Sequence, residues 1–192
     1  MDVASWKRLS QAIEFYTARG YTYVDAPWAV RRPVMDMTCP RPDLASPLGE
    51  KFLVGSAEQS FLDLEIDVLG KGRFVALTPC FRVADEGRSP LHDGYFMKVE
   101  LYANLTENRG RVLNRMIDDA MTCFRSFGAG DLDVYNTFEQ DAKLTRDIVM
   151  RGVEIGSYGM RTRRHPVLDE DHTWVYGTGL AEPRFSRALQ RL

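Results

Sequence analysis

Long apolar runs are missing from this 192-residue chain. No stretch approaches the roughly 18–20 consecutive apolar residues of a membrane-spanning helix, so a helical membrane protein is not expected. Cysteine is scarce as well. Cys39, Cys80 and Cys123 are odd in number, far apart and without a CxxC pair, which argues against a disulfide framework or a closed thiolate zinc site and predicts reduced thiols. His92, His165 and His172 lack metal-ligand spacing. Neither sign of charge prevails. Twenty-five Lys and Arg stand against 27 Asp and Glu, a net charge of −2, so no whole-molecule positive field draws the chain to nucleic acid or anionic lipid. Repeats, low-complexity tracts and linkers rich in Gly, Ser or Pro are absent too, which predicts one domain over residues 1–192. The start has no basic segment followed by an apolar one and no Arg-rich transit character, so a cytoplasmic location is expected.

What is present is alternating helix and strand signal. Trp6, Leu9, Ile13 and Tyr16 recur at three- and four-residue steps, predicting a helix over 4–18 that ends near Gly20. Residues 21–24 read as a short strand leading to Pro27. Pro33, Pro40, Pro42 and Pro47 predict a long irregular connection over 28–49. A strand over 51–54 and a helix over 56–69 follow. Two strongly apolar runs, 73–83 and 95–104, flank a polar, turn-rich segment and predict an antiparallel hairpin with a long charged tip. Leu113, Met116, Ile117, Ala120, Phe124 and Phe127 predict a helix over 107–127. Residues 132–138 and 148–155 are strand candidates, the segment beyond them is rich in turn formers, and a last helix is expected over 183–192. Hairpins with helices before, between and after them predict an α+β fold around an antiparallel sheet. There is no GxxxxGK[ST] loop and no strand-led GxGxxG unit, which disfavours parallel nucleotide-binding folds.

Three segments carry chemistry of a recognisable kind. Arg82 follows an apolar strand, Thr78-Pro79-Cys80-Phe81, and an arginine there presents a rigid fork of donors to a phosphate. The returning strand reads Phe96-Met97-Lys98-Val99-Glu100-Leu101. Phe96 could stack on a base or simply fill the core, since alternate residues of an inner strand are buried. Gly177-Thr178-Gly179-Leu180-Ala181-Glu182-Pro183-Arg184 combines glycines with a helix-borne arginine.

Together with Ala18-Arg19-Gly20-Tyr21-Thr22-Tyr23-Val24-Asp25-Ala26-Pro27, these segments resemble, in order, the three signature motifs of the class II aminoacyl-tRNA synthetase catalytic domain, with wording similar to that of seryl-tRNA synthetases. The resemblance implies an antiparallel sheet flanked by helices and ATP-dependent formation of an aminoacyl adenylate. It implies that Arg82 stabilises the α-phosphate, that Arg184 and His92 meet the γ-phosphate, that Arg88 offers a further phosphate contact, and that Phe96 stacks on adenine. Gly152-Val153-Glu154-Ile155-Gly156-Ser157 is similar to the family segment whose glutamate holds Mg²⁺ on ATP, so Glu154 is the expected metal ligand, with Ser157 beside the substrate. Ser56-Ala57-Glu58 resembles the loop that binds the amino-acid ammonium group. Locally, Ser56 reads equally well as a helix cap with Glu58 favoured by the macrodipole. Glu100 is expected near the amino-acid side chain, or paired with an arginine. Arg161, Arg163 and Arg164 read as a solvated turn.

Pro27, by the same resemblance, implies a homodimer. One departure is plain: the family usually places Glu two residues after the motif arginine, and this chain has Ala84, followed by Asp85 and Glu86. No residues are left over for a tRNA-reading domain, so the expected acceptor is a carrier protein, another protein or a small molecule, with a minimal tRNA synthetase and a non-catalytic binding or regulatory module as the alternatives.

Overall fold

The computed structural model describes residues 1–39, 45–66, 68–83, 86–87, 89, 91–106, 108–138 and 142–190. In chain order the elements are α1 (Val3–Ala18), β1 (Thr22–Tyr23), β2 (Ala29–Arg31), α2 (Arg32–Thr38), β3 (Pro47–Leu48), β4 (Lys51–Leu53), α3 (Ala57–Glu65), β5 (Arg73–Phe81), β6 (Tyr95–Ala103), α4 (Arg109–Ser126), β7 (Leu132–Asn136), β8 (Lys143–Met150), β9 (Val153–Arg164), β10 (Asp171–Glu182) and α5 (Arg184–Gln190). Seven strands form one sheet in the order β1-β5-β6-β10-β9-β8-β7. Among the described residues only the β1–β5 pairing is parallel. β2, β4 and β3 make a small second sheet. The fold is thus the expected α+β arrangement of helices around a mostly antiparallel sheet.

Strand alternation divides the large sheet into two faces. Met97, Val99, Leu101 and Ala103 of β6 join Leu9 and Tyr16 of α1, Leu113, Met116 and Phe124 of α4, and Phe185 of α5 in the main apolar core. The opposite face is divided. At one end Phe61 and Leu62 of α3 pack on Phe74, Tyr102, Trp174 and Tyr176. The rest of that face carries Lys98, Glu100 and Thr178, which are polar yet buried. Each buried Leu or Phe contributes about 1.5–3 kcal/mol, so the helix-covered face anchors the sheet and leaves the other face available for chemistry.

Several expectations change. Trp6 is 48% exposed, and Ser5 takes its place in the buried stripe of α1. The reason is polar: Ser5 lies 3.4 Å from Ser186, and the neighbouring Arg8 donates to the wholly buried Glu182 at 2.7 Å. Within the segment expected to be irregular, α2 forms because Pro33 occupies its first turn, where no N–H is needed. β3 begins at Pro47. Pro40 and Pro42 lie outside the described residues. The single strand expected over 148–155 is two strands, joined at Arg151 and Gly152 with φ of 50° and 78°. These positive angles suit the tight turn of an antiparallel hairpin. The turn-rich segment after it is largely β9 and β10, twelve residues each. Helix α3 is shorter than expected but keeps Ser56 as its cap. Among the described residues no helix is long and apolar enough to cross a membrane.

Burial leaves a pH signature. It pushes the Cys80 thiol up to about 11 and the Cys123 thiol to about 12, and raises the Tyr16, Tyr102 and Tyr158 hydroxyls well above their usual range. These groups resist ionisation when folded, whereas the unfolded thiols ionise near 9.0. The unfolded state therefore loses protons first, and stability present below about pH 9 is lost as pH rises through the folded values. Urea unfolding midpoints are expected to fall steadily from pH 8 to pH 11. A flat profile would contradict this.

Candidate active site

Arg82 emerges where β5 ends. Its backbone N–H donates to the carbonyl of Gly94 at 2.8 Å, closing the base of the hairpin loop. Its Nε donates to the carbonyl of Gly55 at 2.8 Å, and its guanidinium carbon lies 5.4 Å from the centroid of the Phe96 ring. The guanidinium is thus aimed before any ligand arrives. Phe96 faces Cys80 across the β5–β6 ladder and is half-buried.

Beside Phe96 is a shallow, solvent-open depression lined by Leu91, His92, Asp93, Phe96, Pro183 and Arg184. The fold therefore brings together His92, Phe96 and Arg184, the first and last of which are 92 positions apart in sequence. His92 is oriented by Ser89, whose Oγ lies 2.7 Å from its Nδ1. Arg184 Nη1 donates to Glu154 Oε1 at 3.2 Å. Arg187 Nη1 donates to Asp93 Oδ2 at 2.8 Å and ties the loop to α5. Glu154 is the more exposed member of its pair, with 47% of its side chain accessible against 20% for Arg184. Arg88 and Ala84 lie outside the described residues.

The other predicted residues sit deeper on the same sheet face. Glu58, at the N-terminus of α3, is 5% exposed. Arg161 Nη1 reaches both of its oxygens at 2.6 Å, and Trp174 Nε1 donates to Oε1 at 2.6 Å. Glu100 is wholly buried. Ser56 Oγ donates to its Oε2 at 2.5 Å, and Lys98 Nζ lies 2.9 Å from Oε1. The Lys98 contact is an ion pair by distance but is poorly directed, since Glu100 Oε1 and the nearby strand residue Thr78 Oγ1 lack a well-aligned hydrogen-bond partner. Ser157 joins β10 through Thr178, its N–H donating to Oγ1 at 3.3 Å.

Arg161 corrects the expectation of a solvated basic turn. It lies within β9, with a side chain only 14% exposed, over the Tyr176 ring at 4.2 Å. Arg164 does meet solvent, paired with the exposed Asp169. A register count along β9 would have exposed this, because Ser157, Gly159 and Arg161 alternate onto one face once the strand is recognised. Lys98, Trp174, Tyr176 and the Asp93–Arg187 pair were also not singled out by sequence.

The motif resemblance implies that Gly177 and Gly179 let the backbone approach ATP, but the space they leave open is filled from the other side. A Cβ on Gly177 would overlap the Tyr158 ring and lie 2.8 Å from Met116 Sδ, while one on Gly179 would lie 2.8 Å from Val99 Cγ1 and 2.9 Å from Tyr16 Cε2. Both absences admit core side chains of the helix-covered face rather than a ligand. Among the described residues no group of three or more His, Cys, Asp or Glu is placed to hold a metal by itself.

No family model matches the chain, and no curated protein matches it in sequence. Solved structures do match. Seryl-tRNA synthetase from Pyrococcus horikoshii, complexed with ATP, superposes with a TM-score of 0.74 at 19% identity, over 93% of this chain and 47% of its own. The chain thus spans about half the length of that protein. A pyrrolysyl-tRNA synthetase from Desulfitobacterium hafniense gives 0.73 at 17% identity, over 98% and 69%. The cytoplasmic serine-tRNA ligase of Naegleria fowleri, in complex with AMP, gives 0.72 at 17%, over 92% and 46%. The chain therefore shares the fold of these synthetases over most of its own length.

Proposed function

We propose that this chain activates an amino acid with ATP. A carboxylate oxygen of the amino acid attacks the α-phosphorus, a new P–O bond forms, and the bond to the leaving pyrophosphate breaks. In this reading Arg82 neutralises charge on the α-phosphate, His92 and Arg184 meet the γ-phosphate, and Phe96 carries adenine. Arg88, outside the described residues, is the further phosphate contact that the sequence resemblance implies. Glu58, Glu100 and Ser157 line the acyl side. The catalytic demand is positioning and electrostatic stabilisation, which preset groups supply without reorganisation. The observation that carries the proposal is the depression shared by His92, Phe96 and Arg184, next to an arginine already fixed by the Gly55 carbonyl.

Mg²⁺ fits as a companion of ATP. Glu154 is a single accessible carboxylate, and Mg²⁺ is commonly held by one or two carboxylates plus substrate phosphates. When bound it would supply countercharge to the phosphates, with Glu154 as its protein ligand. We place a homodimer contact at the segment around Pro27, whose neighbours Tyr23 and Trp28 are 46% and 57% exposed.

The test is exchange of labelled pyrophosphate into ATP, run across a panel of amino acids. Exchange dependent on one amino acid is expected, and Arg184→Ala should lower kcat/KM for ATP by about 10–100-fold, the worth of a charged hydrogen bond. Absence of exchange with ATP and every amino acid would leave a non-catalytic module as the better reading.

A further inference from the structure

Glu182 places a charge under the helix-covered face of the sheet. It ends β10 opposite Met97, a residue of the main apolar core, and is wholly buried. Taking a carboxylate out of water is costly, and a buried ion pair is often no more stabilising than well-packed apolar groups of the same volume. Stability is therefore a poor reason for this charge. Its hydrogen bonds give a better one. Arg8 Nε of α1 donates to Glu182 Oε1 at 2.7 Å, across 174 positions of sequence. The other oxygen, Oε2, accepts from the backbone N–H and from the hydroxyl of Ser186, at 3.1 and 2.6 Å. Arg8 Nη2 also donates to the Ser186 hydroxyl, so guanidinium, carboxylate and hydroxyl form a closed ring.

Ser186 lies in the first turn of α5, which begins at Arg184. The ring thus grips the chain on both sides of Arg184, at Glu182 before it and at Ser186 after it. Other contacts hold α5 without aiming its start. Phe185 packs on Phe124 and Phe127, with ring centroids 5.5 and 6.2 Å apart, but apolar burial has no direction. The Arg184–Glu154 and Arg187–Asp93 pairs are partly exposed, and pairs of that kind are worth little. We propose that Glu182 is a positioning residue for Arg184, and that Arg8 holds Glu182 in the orientation that turns Arg184 toward the depression it shares with His92 and Phe96. This rests on the nucleotide half of the proposed function, in which Arg184 meets the γ-phosphate. Helix α1 then does more than cover the sheet: through Arg8 it sets one of the phosphate contacts.

The experiment is a double-mutant cycle read by calorimetric titration of ATP and of ADP, with Mg²⁺ in excess, into the whole chain. ADP lacks only the γ-phosphate. Glu182→Gln keeps the size of the side chain and an acceptor for Ser186 but gives up the charge that holds Arg8, whose side chain is 21% exposed and so keeps access to water. It should weaken ATP binding about five- to tenfold, part of the about 10–100-fold assigned to Arg184, and leave ADP binding within about twofold of wild type. In the Arg184→Ala protein the same substitution should change ATP binding by less than about twofold, whereas independent sites would repeat the full loss. A loss of at least about threefold that is confined to ATP and abolished in Arg184→Ala supports the inference. Any other pattern overturns it: equal losses for ATP and ADP mark a general loosening, and an undiminished loss in Arg184→Ala marks an effect that bypasses Arg184. If Glu182→Gln does not fold, Glu182→Gln combined with Arg8→Gln, which removes both charges, takes its place in the cycle. Failure of that variant to fold assigns the ring to stability and also overturns the inference. A wild-type chain that binds neither nucleotide removes the adenylation reading itself, so the two failures are distinguishable.

Discussion

Replacing Arg82 with alanine is expected to lower ATP–pyrophosphate exchange by about 10²–10³-fold, the range found when one preorganised donor to a developing oxyanion is removed. Two properties of the side chain justify so large an effect. On the adenylation proposal its charge would face the position where negative charge builds on the α-phosphate, and its geometry is fixed beforehand by the Gly55 carbonyl at 2.8 Å and the Phe96 ring at 5.4 Å. Gly55 immediately precedes Ser56, the cap of α3, so the same hydrogen bond ties Arg82 to the start of the helix that carries Glu58. Arg82→Lys keeps the charge but loses the planar fork, and should recover only about tenfold of the loss. The fold should survive, because Arg82 is half-buried and its side-chain hydrogen bond to the Gly55 carbonyl contributes about 1 kcal/mol. Exchange within about tenfold of wild type, in a variant with an unchanged circular dichroism spectrum, would remove Arg82 from this role.

How much of this site could be read from sequence depended on which face of the sheet was speaking. Strands β5 and β6 are buried on both faces, so their apolar runs stood out and the hairpin was legible nearly to its ends. Strand β9 is different. Ile155, Tyr158 and Met160 face the helices, but Glu154, Ser157, Gly159 and Arg161 interrupt them, and that mixture reads as turn rather than strand. The polarity that hid the strand belongs to the candidate site. Proline misled for another reason: Pro33 breaks a helix interior but suits a first turn, and only the chain around it shows which applies. The Glu58–Arg161 contact spans 103 positions. It follows from sheet order and register, which the residues near either partner do not encode.

Gly177→Ala separates two accounts of a motif glycine. If Gly177 serves close approach of ATP, alanine should weaken ATP binding and leave stability alone. The structure demands the reverse. Gly177 pairs with Tyr158 across the β9–β10 ladder, and the Tyr158 ring fills the space a Cβ would take, with its hydroxyl donating to the Thr178 carbonyl at 2.6 Å. Tyr158 is wholly buried and Met116 Sδ lies 2.8 Å from the same point, so neither neighbour can move into solvent to make room. Overpacking at such a position costs about 3 kcal/mol, the upper end of the usual range, because the ring must leave its rotamer and strain its hydrogen bond. For a chain of this size that corresponds to a fall in Tm of about 6–12 °C. Gly130→Ala is the control, since a Cβ there meets nothing within 4 Å, and its Tm should stay within about 2 °C of wild type. A Gly177→Ala protein as stable as that control, with weakened ATP binding, would return the glycine to the nucleotide. A destabilised one that still binds ATP at temperatures where it is folded assigns it to the packing of Tyr158 against α4.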